Sequence, residues 1–176
     1  MRVIKSVVTT DAILTSSNIP EDEHPVLVSG TSYTALDKVI YEHKIYERIV
    51  IGAGTTPPNL DQVNWLDSGY TNRYRMFDNI TSSVSGRTGG IEFTLTPNQI
   101  VNGIALLNVN ASTVRVVMTD PVDGVVYDRT KELRSSSNVI DYFSYFFAPL
   151  VNLGDLDTAI FLDLPNKPTA TITVYV

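Results

Sequence analysis

The chain has 176 residues, 43% of them hydrophobic, enough for one core or for a core with a small satellite. Val, Ile and Thr number 54 against 19 for Ala, Glu and Lys, so side chains that stiffen a strand far outnumber helix formers and a helical bundle is disfavoured. The formal charge is −6 and the 13 Lys and Arg are scattered, which leaves no basic stripe for a phosphate backbone; nucleic acid is not an expected partner.

Residues 1–28 read as an extended N-terminal arm and linker. They hold a β-branched run, Val7–Thr10, followed by the acidic segment Pro20-Glu21-Asp22-Glu23-His24-Pro25, where two prolines oppose regular structure and the charges favour solvent. The polar residues Ser6, Thr9, Thr10 and Asp11 interrupt any apolar signal core, and no stretch approaches the ~18 apolar residues of a membrane helix. A soluble chain with no membrane insertion is the expectation.

Residues 29–69 read as a small β-module. Two strands are predicted, Lys38–Tyr41 and Ile45–Ile51, closed by the turn-rich segment Gly52–Asn59. Residues 70–176 read as an antiparallel β-sandwich. Ile91–Leu95, Val114–Val116 and Ala170–Val176 alternate apolar and polar side chains, as half-buried strands do, whereas Gly103–Leu107 and Ala159–Leu162 are denser and predict strands covered on both sides. Turn signals at Asn98, Asn108–Asn110, Asp120-Pro121, Asp123-Gly124, Gly154-Asp155 and Pro165-Asn166 are spaced as in two-sheet all-β proteins. Val139–Phe147 fits helix and strand equally, because the run spans only about two helical turns before Pro149.

The search for catalytic chemistry returns little. There is no Cys, so no disulfide, thiolate nucleophile or cysteine-ligated metal. His24 and His43 stand in unrelated contexts, no HExxH or Gly-x-Ser-x-Gly motif occurs, and the Gly52-Ala53-Gly54 turn runs into Pro57-Pro58 where a phosphate loop would need a helix. The carboxylate pairs Asp61/Asp67, Asp120/Asp123 and Asp155/Asp157 sit beside Gly, Pro or Asn, where Asp caps turns. Asp78-Asn79 and Asp120 with Asp123 offer hard oxygen ligands but match no EF-hand, so a metal stays open. No catalytic residue and no cofactor are expected, and the chain reads as a non-enzyme.

Aromatic side chains remain. Trp65, Tyr33, Tyr46 and Tyr70 are candidates for a flat platform under a sugar ring, against the alternative that Trp65 is the core of the small module. Tyr142, Tyr145 and Phe146 lie in a stretch with five aromatics in six positions, which cannot all point inward from one short element; with Val7 and Val8 they are candidate interface residues.

The stretch Trp65-Leu66-Asp67-Ser68-Gly69-Tyr70-Thr71-Asn72-Arg73-Tyr74-Arg75-Met76-Phe77-Asp78 resembles a recurrent segment in structural proteins of tailed bacteriophages. There it joins a small N-terminal module to a galactose-binding-like β-sandwich of jelly-roll type. Upstream, Tyr33-x-x-x-Asp37-x-Val39, Tyr46, Pro57-Pro58 and Trp65 is similar to the β-module of chitin-binding-type carbohydrate modules, with Leu36 standing where a Gly usually precedes the Asp. Downstream, Phe77-Asp78-Asn79, Ile91–Leu95 and Asn102–Asn108 follow the order of a galactose-binding-like domain. The resemblance implies a virion protein of the tail, baseplate or neck, made in the host bacterial cytoplasm and present as a homo-oligomer. Its partners would be other tail and neck proteins, and a host surface glycan is the alternative partner. Asn72, Arg73, Arg75 and Asp78 would be structural, with Arg73 or Arg75 pairing Asp78 to fix the module against the sandwich.

Overall fold

A computed structural model of the chain describes residues 7–80, 82–134, 141–147 and 157–176. The strands are β1 (Leu14–Ser17), β2 (Ser32–Tyr33), β3 (Lys38–Tyr41), β4 (Lys44–Arg48), β5 (Gly52–Ala53), β6 (Trp65–Tyr70), β7 (Glu92–Leu95), β8 (Ile104–Leu106), β9 (Thr113–Asp120) and β10 (Gly124–Glu132). After them come the helix α1 (Tyr142–Phe147), β11 (Ala159–Phe161) and β12 (Thr171–Tyr175). The protein is mostly β, built from several antiparallel sheets, and no sheet among the described residues closes on itself. The chain forms two compact units, one of Ser17–Thr88 and one of Gly89–Val176 together with the segment up to Ser16. These boundaries differ from those expected at residues 28 and 69: Tyr70–Thr88 folds with the smaller unit.

In Ser17–Thr88 the strands β3, β4 and β6 form one sheet and β2 pairs with β5. β3 and β4 are joined by only two residues, Glu42 and His43, both at positive φ (47° and 63°). That is the backbone of the tight turn whose twist matches a hairpin, normally occupied by Asn-Gly. The second predicted strand stops at Arg48 rather than Ile51, because the backbone leaves the β3–β4 ladder there and the Ile49 N–H bonds the Asn64 carbonyl at 2.9 Å. The core is Tyr33, Val39, Tyr46 and Trp65, with Leu27 and Tyr41 packed against it.

The other unit holds a five-stranded sheet in the order β1-β7-β12-β9-β10 and a β8–β11 pair. Its alternation was legible: Phe93, Val114, Val116, Met118, Ile172 and Val174 are buried, and Val116 faces Val174 and Met118 faces Ile172 across the β9–β12 ladder. On the opposite face Thr94 and Thr173 share a hydroxyl–hydroxyl bond at 3.1 Å. At the β9–β10 turn the Asp120 carboxylate accepts the N–H groups of Val122 (3.0 Å) and Asp123 (3.1 Å) and the Thr169 hydroxyl (3.0 Å). Those bonds hold the Asp120 carboxyl below the usual carboxylate range, against the opposing pull of burial.

Two expectations are corrected and a third holds. The segment 1–28 is not an extended arm throughout: Leu14 buries its side chain, Thr15 donates to the Thr94 carbonyl (3.2 Å), and β1 becomes the edge strand beside β7, whereas Val7–Thr10 forms no strand. The proline-bracketed stretch faces solvent at Pro20, Asp22, Glu23 and Pro25, with Glu21 and His24 half-buried, but its C-terminal end is tied to a strand. The Pro25 carbonyl accepts the Ile40 N–H and the Leu27 N–H donates to the Ile40 carbonyl, both at 2.9 Å, so the segment runs alongside β3. Finally, β8 and β11 are half-covered, since Ala159 and Phe161 are buried while Ile160 between them is exposed. The ambiguous run adopts a helix over Tyr142–Phe147; Val139 and Ile140 lie outside the described residues, as do Pro149 and the Gly154-Asp155 turn.

Candidate functional site

The strongest convergence of polar side chains in Ser17–Thr88 centres on Glu21. Its Oε1 lies 2.9 Å from His43 Nδ1 and accepts the Thr71 hydroxyl at 2.7 Å, while Oε2 lies 3.1 Å from the same nitrogen and 3.9 Å from Arg73 Nη1. Arg73 Nε donates to the Ile19 carbonyl at 2.8 Å, so one guanidinium fixes both the backbone and the carboxylate of the 19–21 segment. The His43 ring stacks on Tyr74 with centroids 4.0 Å apart, and its carbonyl accepts the Thr71 N–H at 2.9 Å. These contacts account for a non-glycine residue in the left-handed turn: the surroundings over-determine His43.

The arrangement couples a carboxylate to an imidazole, yet the Thr71 hydroxyl is buried and donated to the carboxylate rather than to the ring. A nucleophile needs its base on the hydroxyl, so this geometry makes a clamp and not a triad. Among the described residues, no group of three or more His, Asp or Glu side chains is gathered as for a metal ion.

Asn72 belongs to the same clamp. Its N–H donates to a Glu23 carboxylate oxygen, its carbonyl accepts the Ser85 hydroxyl at 2.5 Å, and its side chain holds Gly86. The expected pairing of Arg73 or Arg75 with Asp78 does not form. Arg75 Nε donates to the Tyr70 carbonyl (3.0 Å), Arg73 turns to Glu21, and Asp78 spends its Oδ1 on the Ile80 N–H two residues on (2.8 Å). An Asp that closes its own turn has its acceptor occupied before a distant guanidinium arrives. All these partners lie within Ser17–Thr88, so the four residues brace one unit internally.

Of the two readings of Trp65, sugar platform or core of the small module, the structure places it in the core. Trp65, Tyr33 and Tyr46 are buried; Trp65 meets Tyr33 edge to face with centroids 5.3 Å apart, and Arg48 covers the indole at 4.8 Å. The Trp65 ring offers no open face of the kind a sugar requires. Only Tyr70 is partly exposed, and Lys44 lies 5.0 Å from its ring centroid while donating to Asp67 at 2.6 Å. That bond raises the Lys44 pKa; burial pushes Asp67 up, but the Lys44 ammonium and the Gly69 N–H outweigh it and hold the carboxyl low.

Of the interface candidates, Val7 and Val8 are exposed, and α1 presents Tyr142, Phe143, Phe146 and Phe147 at 56 to 81% exposure. Tyr142 contacts Phe146 and Phe143 contacts Phe147, with centroids 4.8 and 4.9 Å apart, the spacing of helix neighbours four residues apart. The Tyr145 side chain lies outside the described residues. Sequence reasoning missed Glu21, His43, Thr71 and Arg48; the strand patterns Lys38–Tyr41 and Ile45–Ile51 leave a three-residue gap, and the two-residue turn at Glu42 and His43 arises only because β4 begins at Lys44. No helix among the described residues is long and apolar enough to cross a membrane. No protein-family model matches the chain, and no similarity to a curated protein or to a solved structure is detected.

Proposed function

We propose that the chain is a non-enzymatic structural or adaptor protein of a phage tail, baseplate or neck, present in several copies and bridging other virion proteins. The observation that carries this reading is α1: four large aromatic side chains on one short helix, each more than half exposed, form an apolar surface of the kind that monomers rarely leave uncovered. The phage-like stretch Trp65–Asp78 adds the virion context. Within the unit of Gly89–Val176, the five-stranded sheet and the β8–β11 pair each bury one face, which supports reading them as the two layers of a galactose-binding-like sandwich. Glycan recognition through Trp65 would require opening the small core, so the assembling role is carried forward.

Sedimentation velocity on the purified chain tests the reading. A self-associated species at micromolar concentration that falls to monomer in the double variant Phe143→Ser/Phe147→Ser, with an unchanged far-ultraviolet spectrum, is expected. The protein should also be found in stoichiometric amount in purified particles of the phage that encodes it. A monomer at every concentration, absent from particles, overturns the proposal.

A further inference from the structure

Arg48 is a charged residue in the interior. It is 4% exposed, and its neighbour Trp65 is 2% exposed. The guanidinium lies 4.8 Å from the centroid of the Trp65 ring, and its Nε donates to the Val50 carbonyl at 2.6 Å. Arg48 Nη1 and Trp65 Nε1 are both buried donors without an acceptor, and Arg48 has no ion pair among the described residues. The nearby acids are engaged elsewhere: Glu47 pairs with Lys38 (3.5 Å), and Asp37 accepts the Thr34 N–H at 2.6 Å.

A guanidinium does not shed its proton to escape burial. An unpaired buried charge is costly, as is even a single unmet donor, and native interiors supply a partner. Cation–π contact with the indole offsets part of that cost but supplies no acceptor to either N–H. The cover over the pair is close. A Cβ at Gly52 would lie 3.2 Å from Arg48 Nη2, and one at Gly54 would lie 3.0 Å from the Tyr33 ring and 3.3 Å from Trp65 Cζ2. The ligand must therefore be small, carry negative charge and accept from two N–H groups.

We propose that Arg48 and Trp65 together bind a small monovalent anion, a halide ion or a compact carboxylate such as acetate, through Nη1 and Nε1. The site is independent of the assembly reading. Trp65 is the only tryptophan of the chain, so it reports on its own site.

The test titrates the full-length protein with sodium chloride, sodium bromide or sodium acetate at constant ionic strength, with sodium sulfate as the balancing salt, following Trp65 emission and the melting temperature. A saturable change with a halide, with acetate or with both is expected, and the arm that responds identifies the ligand's shape. Arg48→Met should abolish the saturable change. Trp65→Phe, read by melting temperature, removes one donor while keeping a ring, and should move the midpoint several-fold to higher anion concentration even if Arg48→Met fails to fold. No response to any of the three salts, a linear response without saturation, an equal response to sulfate alone, or an unchanged midpoint in Trp65→Phe overturns the proposal.

Discussion

Asn72 grips Gly86 with both ends of one amide: Nδ2–H donates to the Gly86 carbonyl at 2.8 Å and Oδ1 accepts the Gly86 N–H at 2.9 Å. The side chain thus imitates a strand neighbour and ties residue 86 to the segment after β6. Asn72→Ala should lower stability by about 1–3 kcal/mol in urea denaturation, because both backbone groups lose their partner. Asn72→Asp keeps the acceptor, loses the donor and brings a second carboxylate near Glu23, so it should not rescue. Equal stability of Asn72→Ala and the parent would remove the clasp from the account.

Glu21 organises three partners from its partly buried position. Glu21→Gln should cost about 1–2 kcal/mol, since one charge-assisted acceptor becomes a donor facing donors. His43→Gly relieves the left-handed turn yet loses the Tyr74 stack and the Glu21 contact, so it should destabilise too. A stabilised His43→Gly variant would mean that turn strain, not the clamp, dominates at this hairpin.

Leu36 has φ 75° and a side chain 74% exposed. A leucine gains nothing from exposure and meets steric resistance in this conformation. Leu36→Gly should raise stability by about 1 kcal/mol, whereas Leu36→Ala should not, a difference that thermal melts of the two variants resolve.

Asp120 contributes to the acid limb of stability. Its folded pKa lies below the ordinary 3.8, held there by the Val122 and Asp123 N–H groups and the Thr169 hydroxyl. The unfolded state therefore binds the proton first, and the stability from these bonds is present above about pH 4 and lost as pH falls through the folded value. Asp120→Asn should melt lower at neutral pH and show a flatter decline on acidification. Parallel curves for the two proteins would show that this turn does not couple to protonation.

Tyr127 carries the largest upward shift among the described tyrosines. Burial first, then its 2.6 Å hydrogen bond to Asp163 Oδ1, raise its pKa from 10.0 to about 12. The folded value exceeds the unfolded one, so the contribution is complete below about pH 10 and disappears as pH climbs toward 12. Ultraviolet absorbance should show one tyrosine ionising after the others, and Tyr127→Phe should delete that late step. A titration that ends together for all nine tyrosines contradicts the assignment.

The legible parts of the fold were those written in period. β3 was read with its observed ends, and β7, β9 and β12 were placed by alternation because every second residue, such as Val114, Val116 and Met118, is buried. β1 was not legible: Leu-Thr-Ser-Ser is too short and polar to show a period, and it becomes a strand through Leu14 and the Thr15 bonds. The clamp was hidden for a different reason. Glu21, His43 and Thr71 are separated by 22 and 50 residues along the chain, and only tertiary structure brings them together. Arg48 escaped notice because a charge inside a strand pattern reads as the solvent face, whereas here it closes over an indole.

β1 and β7 are neighbours in one sheet, yet all of Asn18–Thr88 lies between them in the sequence. The larger unit is thus interrupted by the smaller, and no single cut separates the two. A fragment begun at Gly89 would leave the outer edge of β7 bare, an open template for the next molecule to pair with; supplying Leu14–Ser17 in trans as a peptide is the natural remedy.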